Sequence, residues 1–249
     1  MPKAQLLKTL EGKSVRQRLL EAGERLFAEH GWHAVGIRAI AAEAGVSLAA
    51  LNYHFGDKER LLAEIFSIRA KPIAEERLRL LESAGARGEP SIEDILEAFL
   101  RPSLTIASDL RFGGRTFVKL RARLGAEPQS TSRAILSKEF DHSSRAFLAA
   151  FGRALPDLPQ IDLEFRFHFL LGTIVYTMAD TGRIQDLTDG HCNPGDVEAA
   201  LRHLVPFLAA GFRSRPITAA PVRVGRSKKA RSPAVRAGAV TRSLRPGRN

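Results

Sequence analysis

The stretch from Gly36 to Lys58, GIRAIAAEAGVSLAALNYHFGDK, leaves the rest of the chain the least freedom. Its apolar residues recur at helical spacing in two short runs, 37–44 and 48–54, divided by Gly45-Val46-Ser47. Glycine ends a helix at little cost because, lacking Cβ, it takes positive φ readily. Serine starts one well because its hydroxyl accepts a first-turn N–H that the helix itself cannot satisfy. The pattern predicts helix, tight turn, helix. Ile37, Ile40, Ala41 and Ala44 supply the buried edge of the first helix, Val46 the corner, and Leu51 and Phe55 the edge of the second.

What remains on the second helix is small or polar: Ala49, Ala50, Asn52, Tyr53 and His54. A helix with one buried edge and a small-residue outer face can approach another surface closely, and a DNA major groove is wide enough to admit it. Spacing alone fits an ordinary corner of a helical core equally well. The order of particular residues separates the two: Arg38 early in the first helix, Ala44-Gly45-Val46 at the turn, Tyr53-His54-Phe55 closing the second, and Lys58 entering the next. Over residues 13–66 this resembles the TetR family of DNA-binding regulators. The resemblance implies an all-α chain, with a three-helix helix-turn-helix DNA-binding domain at 13–57 and a helical effector-binding and dimerisation domain at 58–213.

Charge has to be read by position. The 249 residues carry 38 Lys or Arg and 27 Asp or Glu, a net +11. Residues 213–249 hold eleven of the basic groups and no acid, so the preceding 212 carry 27 of each sign and are neutral. The tail, 214–249, is rich in Pro, Gly, Ser and Ala; with few large apolar groups to offset its ordering entropy, it is expected to be disordered. Near DNA it would add phosphate attraction without sequence preference, and it reads equally well as a solubilising tail. Residues 1–12 read as a flexible basic arm. No apolar run approaches the roughly 18 residues of a membrane span, and the start lacks the apolar stretch of a secretory signal. A single cysteine, Cys192, rules out an internal disulfide. A cytoplasmic protein without membrane partners is expected.

The flanking sequence reads as helices throughout. A first helix at 14–30 carries Val15, Leu19, Ala22, Leu26 and Phe27 on one stripe, stops at Gly31, and leaves Trp32 to plug the corner. A fourth begins behind Asp57, with Pro72 expected to kink or break it before about residue 83. Ser91 with Asp94 forms a capping box for the next, which Pro102 is expected to bend or end. Further patterns cover 116–124 and 129–154. The most apolar segments are 160–182 and a last helix that Asn193-Pro194 is expected to open as cap and first position. One chain cannot easily cover both, so a homodimer that packs 160–182 and 193–213 as a four-helix bundle is expected. FHFLLGTIVYTMADTGRI and LRHLVPFLAAGF in these segments resemble the C-terminal domain of the PsrA-type, fatty-acid-responsive TetR subgroup.

The resemblance then assigns roles. Tyr53 and His54 fall at positions that hold the phosphate backbone, Arg38 at one that reaches a guanine edge or a phosphate, and Lys58 lies near the strand. Base reading is left to Ser47, Leu48, Ala49, Ala50 and Asn52, where asparagine can pair with an adenine edge and alanine methyls can touch thymine. A dimer presenting two such helices calls for a palindromic operator. For the effector, Phe112, Arg115, Phe117, Arg121, Phe147, Phe151, Phe165, Phe169 and Tyr176 offer an apolar channel with one or two cations at its mouth, suited to a fatty acid or an acyl-CoA; each aromatic also reads as core. No G-x-S-x-G, glycine-rich phosphate loop or Cys–His pairing occurs, and His30-x-x-His33 lacks the further ligands a zinc site needs. Neither a cofactor nor a metal is expected. The chain reads as a ligand-responsive repressor and not as an enzyme; the rival reading is a basic-tailed architectural or RNA-binding protein with little sequence preference.

Overall fold

Five of the described helices begin where the sequence supplies a side-chain oxygen. The computed structural model describes residues 13–86, 88–109, 113–127, 130–179 and 182–217, and every regular element among them is helical. Helix α1, Val15–His30, is capped by Ser14, whose hydroxyl accepts from Gln17 N at 3.2 Å while the Gln17 side chain accepts from Ser14 N at 3.0 Å. Helix α2, Ile37–Glu43, gives way to Gly45 at φ 64°, the conformation a side chain would resist. Helix α3, Leu48–Phe55, starts at Ser47, whose hydroxyl accepts from Ala50 N at 3.2 Å. Asp57 opens α4, Lys58–Gly85, accepting from Arg60 N at 2.7 Å. The Ser91/Asp94 capping box opens α5, Ile92–Ser108. There follow α6 (Gly114–Ala126), α7 (Ser130–Ala154), α8 (Gln160–Ala179), the short α9 (Arg183–Leu187) and α10 (Val197–Phe212).

At two prolines the helix is not broken, and one cap shifts. Pro72 and Pro102 lie inside α4 and α5, both of which continue past them, so the break and the end that were alternatives to a bend do not occur. A proline removes one backbone hydrogen bond and crowds the preceding turn, but packing on both sides holds the helix: Ala70, Ile73 and Ala74 flank the first, and Leu100, Ser103 and Leu104 the second, all buried. The last helix starts at Asp196, whose carboxylate accepts from Ala199 N at 3.0 Å. Asn193 instead accepts from Gly195 N at 3.0 Å, a turn that precedes the helix without capping it.

Two hydrophobic clusters form the interior. The first joins Leu19 and Phe27 of α1, Ile40 of α2 and Leu51 of α3 to Leu61, Ile65 and Phe66 of α4, then continues into Phe117 and Leu124 of α6 and Phe140 of α7. The helix-turn-helix thus shares a core with helices far along the chain. The second gathers Leu96 and Phe99 of α5, Phe147 and Phe151 of α7, Phe167 and Ile174 of α8, and Leu208 and Phe212 of α10. Trp32 fills its corner as expected, 5% exposed, with Nε1 donating to Glu127 Oε2 at 2.7 Å.

Helix α8 is apolar on two faces. Leu163, Phe167, Leu170, Ile174 and Met178 face the core, while Ile161, Phe165, Phe169 and Tyr176 are more than half exposed on the other side, joined by Phe207 of α10 at 70%. Among the described residues no helix is long and apolar enough to cross a membrane. The arm at 1–12 and the tail beyond 217 lie outside the described residues.

Candidate nucleic-acid interface and effector cleft

The buried edge of α3 is short: Leu51 and Phe55 alone of its residues are buried. They pin the helix to the first cluster and turn the rest outward. Ala49, Asn52, Tyr53 and His54 are exposed and Leu48 and Ala50 half-buried. Ser47 sits exposed at the N-terminus of the helix, its oxygen already accepting from Ala50 N. Tyr53 is 86% exposed, its ring edge-on to His54 with centroids 5.3 Å apart. An aromatic left this open, beside small residues, is surface available to a partner. Arg38 of α2 is exposed too and makes no ion pair among the described residues, whereas Arg25 of α1 pairs with Glu43.

Lys58 does not join that surface. Its ammonium donates to the carbonyls of Trp32 at 2.9 Å and Val35 at 3.1 Å and lies 5.0 Å from the Trp32 ring centroid. It closes the corner between α1 and α2, where carbonyls without helical partners gather. The expected place beside a DNA strand is therefore corrected to a structural clasp.

A cleft of ≈ 710 Å³ opens between α4, α6, α7 and α8. Its rim is exposed and includes Gly125, Ser137, His168, Gly172 and Tyr176; its floor is Arg77, Arg121 and Phe140, each buried. Tyr176 lines the rim and Arg121 the buried floor, whereas the cations were expected at the mouth. Arg115 lines a different one, ≈ 530 Å³, with Lys119, Gln185 and Asn193. Phe117, Phe147 and Phe151 are fully buried and fill the two clusters, so the effector role expected of them is corrected to core. Phe165 and Phe169 point outward from α8 at 56% and 62% exposure and line neither cavity. Phe112 lies outside the described residues.

Sequence reading missed Arg77. The signal was present: Phe66, Ala70, Ile73, Ala74 and Arg77 keep one helical phase along α4, so the arginine occupies a core position. Burial holds the Arg77 guanidinium well below the usual arginine range, and the like charge of Arg121 adds to that; burial lowers Arg121 to about 10. A guanidinium keeps its proton in proteins, so both carry charge at neutral pH. Helix α6 also connects the cleft to the helix-turn-helix half, since Arg123 donates to the carbonyls of Ala28 and Glu29 at 2.9 Å, at the end of α1. Among the described residues no group of three or more His, Cys, Asp or Glu could hold a metal.

The two halves match known families separately. Residues 19–65 match the family model for bacterial regulatory proteins of the tetR family, and residues 97–211 that for a tetracyclin repressor-like C-terminal domain, so between them the models take in well over half of the chain. The chain belongs to the TetR family. Among relatives of this TetR chain, the HTH-type transcriptional dual regulator CecR of Shigella flexneri is 35% identical over 100 residues, 37% of this chain and 43% of that protein. The chain spans less than half the length of the curated relatives it matches. These relatives are transcriptional regulators, not enzymes. The fold is shared with FadR of Bacillus subtilis, solved in complex with stearoyl-CoA, at TM-score 0.55 and 16% identity over 78% of this chain and 98% of that one. It is shared too with the ketosteroid transcriptional regulator KstR2 of Mycobacterium tuberculosis, at TM-score 0.56 and 17% identity over 81% and 96%.

Proposed function

We propose that this TetR chain is a transcriptional repressor that binds a palindromic operator as a homodimer and is released by a small apolar effector. The outward surface of α2 and α3 carries the reading: Tyr53 is 86% exposed, Arg38 is free of ion pairs among the described residues, and the small side chains of Ala49 and Ala50 leave the helix free to enter a groove. Arg38, Tyr53 and His54 hold phosphates and set register; Ser47, Leu48, Ala49, Ala50 and Asn52 face bases. Residues 13–57 do this work and 58–213 control it. The uncovered faces of α8 and α10 support a dimer, since a patch of five large apolar side chains calls for a partner. The cleft takes the effector, consistent with the PsrA-type resemblance of α8 and α10. Its binding shifts α4 and α6 and moves the recognition helices out of groove spacing, so by linkage the effector binds the DNA-free form more tightly.

Selecting bound fragments from genomic DNA identifies the operator. Titration of that operator and a scrambled duplex then tests the reading. A repressor prefers the operator by about a thousandfold or more at moderate salt; a ratio near one would favour the architectural or RNA-binding alternative.

A further inference from the structure

The basic segment at the end of this chain leaves the helical body at a fixed point. Arg166 of α8 grips the end of α10: its Nη1 donates to the Phe212 carbonyl at 2.5 Å, and its Nη2 to those of Ser214 at 3.0 Å and Arg215 at 3.3 Å. Arg213 pairs with Glu93 in the first turn of α5, Nη1 to Oε1 at 2.5 Å and Nη2 to Oε2 at 2.6 Å. Beneath them the Phe212 ring stacks on Phe151, centroids 4.4 Å apart. Residues 213–216 are all exposed, so this root is held on its inner side and open on its outer one.

The root lies at the end of α4 opposite the helix-turn-helix. Lys58, in the first turn of α4, holds the Trp32 corner. Helix α5 then runs antiparallel to α4: Arg77 meets Phe99 and Ser103, and Ile73 shares a pocket with Pro102 and Ile106. Continuing that register sets Glu93 level with the last turn of α4. The 28 residues of α4 rise about 42 Å at about 1.5 Å each.

From Ile217 to Asn249 the sequence holds nine Lys or Arg and no Asp, Glu, Phe, Tyr or Trp, with Arg226, Lys228, Lys229 and Arg231 inside six positions. The 212 residues before Arg213 are neutral and bring no surplus of acid to quench it. A chain of this length and composition is expected to span about 30 Å root-mean-square. From a root about 40 Å from an operator on α2 and α3, most of that reach falls elsewhere. Nine cations lie within the range of about 6–10 phosphate contacts that gives a duplex strong, salt-sensitive attraction. Without aromatics the segment has no platform for the unpaired bases of single-stranded RNA or DNA, and no second anchor to steady it on a membrane.

We infer that residues 217–249 bind a second DNA duplex through its phosphates while the helix-turn-helix holds the operator, so that the protein bridges two stretches of DNA. This rests on the operator reading above.

The test immobilises the selected operator duplex, loads the full chain and adds a fluorescent operator-free duplex at moderate salt. Wild type should retain that second duplex. The full chain carrying Arg226→Gln, Lys228→Gln, Lys229→Gln and Arg231→Gln together should retain at least about tenfold less while operator affinity falls less than about threefold, and its binding of operator-free duplex should lose about 3–4 units of salt slope, roughly 0.9 per cation removed. No retention by wild type, equal retention by the variant, or operator affinity that falls as far as retention overturns the inference. Unlabelled duplex DNA should displace the fluorescent duplex better than single-stranded RNA or phosphatidylserine vesicles; the reverse order overturns it as well. Failure of the chain to select any operator overturns the operator reading and the bridge with it, whereas an operator bound normally, with a salt slope unchanged in the variant, removes this inference alone.

Discussion

The cations of the two working regions stand in opposite surroundings. Arg38, on the surface of the helix-turn-helix, is exposed to water and has no protein counter-ion among the described residues. Arg77 and Arg121, at the floor of the cleft, are buried and equally without a carboxylate. An exposed cation without a partner costs nothing and waits for any polyanion; a buried one costs stability until an anion of the right shape reaches it. The first arrangement suits a partner met over a wide surface, the second a small molecule that must enter. Location, more than the number of charges, separates the two, since the chain outside its basic tail is neutral.

Phe66 ties the regions together. Its ring lies tilted against Phe117, centroids 5.4 Å apart, and edge-on to Phe140 at 6.0 Å, so the cleft floor and the cluster holding α3 share aromatic contacts. Phe66→Ala should cost about 3–5 kcal/mol in urea unfolding, the usual range for a buried phenylalanine; a cost under about 1 kcal/mol would mean that the two regions do not share a core. Next in size, Asn52→Ala should lose about 1–3 kcal/mol on operator and much less on scrambled DNA. Equal losses on both would assign Asn52 to the backbone. Lys58→Met should lower stability by about 1–2 kcal/mol through its two carbonyl bonds while leaving the salt dependence of DNA binding unchanged. A slope flatter by about one unit would return Lys58 to the phosphates. Smallest is Glu93→Gln, on a half-exposed ion pair with Arg213 worth about 0.5 kcal/mol. Hydrogen bonds from Arg213 hold the Glu93 carboxyl below its ordinary value of 4.5. Its contribution is therefore full above that value and fades as pH falls through the lowered one, so wild type and variant should converge in stability on the acid side.

Legibility followed how local the determinant was. Ser47, Asp57 and Ser91 cap as read because a cap needs a side chain and a backbone N–H within three residues. The edge of α3 was equally plain from Leu51 and Phe55. Pro72 and Pro102 misled because the packing that carries a helix through a proline comes from distant segments. Asn193 and Asp196 are both good caps, and sequence does not say which lies next to the helix that the core selects. In the C-terminal half, aromatic composition drew attention to Phe117, Phe147 and Phe151, which serve the core for the ordinary reason that large apolar groups leave water. The informative residue was the polar one in an apolar phase, Arg77, whose meaning appears once Arg121, more than forty positions away, stands beside it.

The central claim meets one measurement: titration of the selected operator and a scrambled duplex with the full chain, wild type and Asn52→Ala. The account predicts that wild type prefers the operator by about a thousandfold or more at moderate salt and that Asn52→Ala loses part of that preference. Equal affinity of wild type for the two duplexes would contradict it.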